Sequence, residues 1–123
     1  MRCQMGKLKT KPLSLKSRRT GFAQIRRVAD QIAAAVLPQR IILFGSHARG
    51  KAGPDSDVDL LVVTEKPLGP DASLQIRRKI DYSFPLDLVV CDVRRLDRRI
   101  RQGDFFLQEA VEHGRVLYEK PDR

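Results

Sequence analysis

The chain has 123 residues, 41% of them apolar and 32% charged, and a formal net charge of +9. That length suits one domain with one modest core, and the balance is that of a soluble globular protein. No apolar run is long enough to span a membrane, and no apolar segment of signal-peptide length follows the basic residues 1–19, so the expected compartment is the cytoplasm.

The first 19 residues carry seven Lys/Arg and no acid, with Pro12 and no sustained apolar period. They read as a basic, disordered arm ahead of a single domain over residues 20–123. Without the arm the net charge falls to about +2, with 17 basic against 15 acidic residues. From Thr20, Phe22, Ile25, Val28, Ile32 and Val36 recur at steps of three and four, which predicts an amphipathic helix ended by Pro38. Ile41-Ile42-Leu43-Phe44 is a fully apolar run, as a central strand requires. Gly45-Ser46 closes it, and His47-Ala48-Arg49 is read as the start of a short helix, broken into a loop by Gly50, Gly53 and Pro54.

The second strand is predicted over Asp57–Val63, and Pro67 and Gly69 mark a turn over Thr64–Pro70. Asp71 offers an N-cap for a helix reaching about Tyr82, and Leu86–Cys91 is a third strand. Arg94–Gly103 and Asp104–His113 form two helical pieces divided at Gly103. Gly114 suits the C′ position, and Arg115–Glu119 adds a short extended segment. Cys3 and Cys91 have no metal-type or framework spacing and read as reduced thiols, Cys91 as core packing.

The aspartates of the second strand need an explanation. Side chains alternate along a strand, so Asp57, Asp59, Leu61 and Val63 share one face and Val58, Leu60 and Val62 the other. At an effective dielectric of 20, two like charges 4 Å apart repel by about 4 kcal/mol. A divalent cation reverses that sign, and Mg²⁺ takes one or two carboxylates together with phosphates and waters. Gly45 and Ser46, between a buried strand and a predicted helix start, suit the approach of a phosphate. Asp87 interrupts the third strand as a further acid. These groups converge only if the second strand runs antiparallel to the first and parallel to the third. The link of about 20 residues between the second and third strands is long enough for a parallel crossover. The expected fold is α/β (α+β): a small mixed sheet with helices packed on it.

Gly45-Ser46, ten residues, Asp57-Val58-Asp59 and then Asp87 resembles the nucleotidyltransferase superfamily that includes DNA polymerase β. The wording GSHARG…SDVDLLVV is most similar to the minimal nucleotidyltransferases, among them the MntA-like antitoxins of HEPN/MNT toxin–antitoxin pairs. The resemblance covers about residues 22–118. It implies that Gly45 and Ser46 hold a nucleoside triphosphate, with Arg49 near the phosphates or bracing the acidic edge. It implies two Mg²⁺ ions held by Asp57, Asp59 and Asp87, with Asp87 helping to deprotonate the acceptor. ATP would be the substrate, and AMP would pass to a hydroxyl, a tyrosine of a cognate HEPN-domain toxin, with which the chain would form a hetero-oligomer.

Two other readings remain at this stage. The chain could neutralise a partner by binding alone. Alternatively, the arm and Arg94, Arg95, Arg98, Arg99 and Arg101 could bind nucleic acid, although the absence of Trp and the two Tyr weigh against a stacking platform. That arginine cluster is otherwise a solvated face or a partner surface. Of the remaining polar residues, Ser56 is expected to cap its turn, His47 to face solvent, and His113 to serve the helix end.

Overall fold

The computed structural model describes residues 21–53 and 56–121. The arm at 1–19, with Cys3, and the loop residue Pro54 lie outside them. Helix α1 (Phe22–Val36) turns Ile25, Val28, Ala29 and Ile32 inward. The Gly21 N–H donates to Gln24 Oε1 at 2.9 Å at its start, and Leu37, at φ 48°, closes it just before Pro38. Strands β1 (Arg40–Phe44), β2 (Val58–Thr64) and β3 (Leu86–Asp92) follow the apolar runs to within a residue. β4 (Arg115–Glu119) is a full strand, paired antiparallel to β1 with a register shift between Ile41 and Ile42. The sheet order is β3-β2-β1-β4, with β2 antiparallel to β1 and parallel to β3, the topology the site required.

Helices cover both faces of the sheet, which explains why its central strands are apolar on both sides. α1 and α2 (Ala72–Arg77) pack on the face of Ile41, Leu43, Leu60, Val62 and Leu88. α3 (Val93–Arg101) and α4 (Phe105–His113) pack on the face of Ile42, Phe44, Leu61, Val63 and Cys91. α3 and α4 each begin on an aspartate: Asp92 accepts from the Arg95 N–H at 3.2 Å, and Asp104 from the Leu107 N–H at 3.1 Å. Gly103, at φ 95°, divides them.

The structure corrects three local expectations. α2 stops at Arg77, short of Tyr82, because the following residues have other tasks. Ile80 and Phe84 enter the core, the Asp81 N–H donates to Gln31 Oε1 at 2.8 Å, and Pro85 holds its predecessor away from helical geometry. Asp71 sits at the N-cap of α2 but its side chain makes no cap bond. Gly114 is extended, at φ −79° and ψ 172°, and not left-handed. Its missing Cβ serves packing, since a Cβ there would press on the Ala110 carbonyl oxygen and Ile42 Cγ2.

Candidate active site

The register of the sheet builds the site. Asp59 lies opposite Asp87 across the parallel β2–β3 pair, and Phe44 lies opposite Asp59 across the antiparallel β1–β2 pair. The exit of β1 therefore reaches the same sheet edge as the entrances of β2 and β3. Gly45, the first residue beyond β1, adopts φ +80°, a left-handed conformation that glycine takes at least cost. A Cβ on Gly45 would collide with Asp59 Oδ2. The bare α-carbon of this glycine makes room for the Asp59 carboxylate.

After Gly45 the chain makes a single turn and not the expected short helix. The N–H groups of Ala48 and Arg49 donate to the Gly45 carbonyl at 3.1 and 3.2 Å, and the Lys51 N–H donates to the Ser46 carbonyl at 3.0 Å. Gly50, at φ 73°, ends the turn before helical bonding can propagate. Residues 46–50 therefore form no helix terminus that could attract an anion. Ser56 accepts from the Gly53 N–H at 2.9 Å, the capping role expected of it. His47 is half-buried and not solvent-facing, with Nε2 3.4 Å from the Ser56 carbonyl oxygen. His113 pairs with Glu109 at 3.5 Å on the surface of α4.

Two clefts meet at Asp59. The wider, about 680 Å³, is walled by Asp59 and Asp87 on the sheet and by Arg95, Arg99, Asp104 and Phe106 on α3, α4 and their junction. The narrower, about 240 Å³, contains Gly45, Arg49 and Asp59, with Phe106 and His113 opposite. Phe44 and Phe106 border both, their rings edge to face at 5.3 Å. Asp57, half-buried one residue before β2, shares the face of Asp59 by alternation, but neither cleft has it or Ser46 in its wall.

Arg99 is fixed in the wider cleft by its ion pair with Asp104 at 3.1 Å. The backbone bond from Leu107, opposed by desolvation and reinforced by the Arg99 guanidinium, holds the Asp104 carboxyl below the usual carboxylate range. Burial pushes the Cys91 thiol up, partly offset by Arg95. Sequence reasoning left Arg95, Arg99 and Phe106 without a place in the site. The (i, i+4) spacing of the two arginines was the available signal, but only packing shows that their shared helix face borders this cleft.

The donors suit a hard divalent cation, because Asp57, Asp59 and Asp87 present only carboxylate oxygens. Among the described residues, no group of three or more His, Cys, Asp or Glu forms an assembled ion cage. Mg²⁺ does not require one, since it commonly completes its shell with water and substrate phosphates.

The sheet carries Asp59 and Asp87 at the entrances of parallel neighbours beside a glycine-serine turn. The sequence matches the family described as "Nucleotidyltransferase domain" over residues 25–117, and the chain belongs to that family; it is a nucleotidyltransferase. Among its relatives is a "Putative protein adenylyltransferase" of Methanocaldococcus jannaschii, 31% identical over 80 residues, which span 65% of this chain and 78% of the relative. A second protein of the same organism and description is 38% identical over 55 residues, which span 44% of this chain and 56% of that relative. The fold matches a "putative nucleotidyltransferase" from Sulfolobus solfataricus with a TM-score of 0.56 at 22% identity, covering 80% of this chain and 79% of that one. It also matches a chain of a toxin-antitoxin structure solved with AMP-PNP, with a TM-score of 0.52 at 23% identity, covering 76% and 73%. Among the described residues, no helix is long and apolar enough to cross a membrane.

Proposed function

We propose that this chain is a Mg²⁺-dependent protein adenylyltransferase that moves AMP from ATP to a hydroxyl of a partner protein and acts as the antitoxin of a toxin–antitoxin pair. The observation that carries the reading is the register of Asp59 opposite Asp87 at a cleft mouth where Gly45 yields its Cβ space to Asp59. The relatives described as protein adenylyltransferases and the structural likeness to a toxin-antitoxin chain support it. The partner is a HEPN-domain toxin, the acceptor a tyrosine, the compartment the cytoplasm, and the catalytic unit residues 20–123 with the arm 1–19 outside it.

In this reading, Gly45, Ser46 and Arg49 hold the triphosphate, with Arg49 facing its negative charge. Asp57, Asp59 and Asp87 would hold two Mg²⁺ ions, which when bound offset phosphate charge and acidify the attacking hydroxyl. Asp87 accepts the proton of the acceptor hydroxyl as its oxygen bonds to the α-phosphorus. The bond from that phosphorus to the bridging oxygen breaks, and pyrophosphate leaves with the electron pair. Rate then comes mainly from positioning and charge stabilisation.

The test is to incubate the chain with Mg²⁺, ATP and the folded partner and to weigh the partner by mass spectrometry. One AMP adduct on a tyrosine is expected, absent when Asp57→Asn and Asp59→Asn are combined. No adduct on a folded partner overturns the transfer. Neutralisation of the toxin by the double variant assigns the protein to inhibition by binding alone.

A further inference from the structure

The two clefts that share Asp59 differ in chemistry, and the difference divides the substrates between them. The narrower holds the Gly45 turn and Arg49. The wider holds Asp87 and ends on Arg95 and Arg99 of α3. A transfer reaction needs its attacking and leaving oxygens on opposite sides of the phosphorus, so two openings converging on one carboxylate suit two reactants arriving from different directions.

We propose that the wider cleft is the docking groove for the acceptor, and that Arg95 and Arg99 select a hydroxyl-bearing protein segment with acidic flanks. This rests on the transferase reading above and deepens it. Arg95 and Arg99 are one helical turn apart and share the side of α3 that faces the cleft, whereas Arg94 and Arg98 are not in its wall. Arg99 is oriented by Asp104, whose carboxylate offsets part of its charge, so Arg95 is the leading cation of the pair. The same wall includes apolar Val89, Leu107 and Phe106. Phe106 keeps 56% of its surface exposed there. An aromatic ring carrying the hydroxyl fits against those apolar side chains, with flanking carboxylates at the arginines. A nucleic-acid strand fits less well, because a continuous run of phosphates would also pass over Asp59 and Asp87, away from the arginines.

The experiment uses the full chain and labelled peptides in which one tyrosine is flanked by glutamates, glutamines or lysines, with binding followed by fluorescence anisotropy. The glutamate peptide is expected to bind about tenfold tighter than its glutamine counterpart, the gain of a few rim ion pairs, and the lysine peptide weakest. Arg95→Glu should abolish that preference, and Arg94→Glu, whose side chain lies outside the groove, should preserve it. Equal binding of all peptides to the unaltered chain overturns the proposal, as does an equal effect of the two variants. A single-stranded RNA that displaces the glutamate peptide and depends on Arg95 overturns it in favour of nucleic acid. Adding ATP and Mg²⁺ separates the two readings. AMP transfer without charge preference removes the groove assignment alone, whereas charge-selective binding without transfer to any peptide or partner removes the transferase.

Discussion

Gly45→Ala isolates the geometry on which the site depends. The substitution has two consequences with separate origins. Holding an alanine at φ +80° costs stability of about 1–2 kcal/mol, the left-handed penalty of an L-residue. The new methyl also meets Asp59 Oδ2, the end of a side chain that can rotate away, so the collision costs little stability but displaces the carboxylate. A shift of roughly 1 Å in a reacting group can cost about 100-fold in rate. Gly69→Ala is the matched control: Gly69 has φ +95°, and a Cβ there meets nothing within 4 Å. Chemical denaturation should show similar losses for the two variants. AMP transfer should fall about 100-fold for Gly45→Ala and stay near the parent rate for Gly69→Ala. If Gly45→Ala transfers AMP at the parent rate, or if both variants lose activity equally, the assigned role of Gly45 in seating Asp59 is wrong.

Three further predictions rest on the same structure. Asp92→Ala removes the cap of α3 and should cost about 1 kcal/mol in equilibrium unfolding, while Asp92→Asn should recover most of it. Asp104 has its folded pKa lowered, so its contribution is present above the usual carboxylate range and is lost as pH falls through the lowered value. Melting curves should therefore show the parent more stable than Asp104→Asn at neutral pH, with the gap closing in acid; a gap independent of pH would contradict this. Cys91 is buried and its thiol is raised, so peptide mapping after brief alkylation at pH 8 should find it labelled more slowly than a free cysteine, and equal labelling would contradict the burial.

Much of the fold was readable because short-range patterns carried it. The three-and-four spacing of Ile25, Val28 and Ile32 is the buried stripe of α1, and the continuous apolar runs are the central strands. The lengths of the links allowed the antiparallel and parallel pairings that the sheet adopts. Where reading failed, either a distant group or an early reversal of the chain intervened. Residues 78–85 leave the helical path because Gln31 and the core claim them before Pro85. His47-Ala48-Arg49 has helix-compatible residues but only one turn of chain before Gly50 reverses it.

By itself the sequence determined that Asp57 and Asp59 stand two residues apart at the start of a strand, that Gly45-Ser46 ends its neighbour, and that Asp87 heads another strand. Side-chain alternation and chain breaks are local properties, so no packing is needed to know them. The tertiary structure alone decided that Asp87 stands level with Asp59, that the absent Cβ of Gly45 leaves space for the Asp59 carboxylate, and that Arg95 and Arg99 wall the same cleft. Those facts depend on strand register and on which face α3 presents to the sheet. Both are set by how apolar side chains from remote parts of the chain fill one core, and that choice is not written into any single stretch of it.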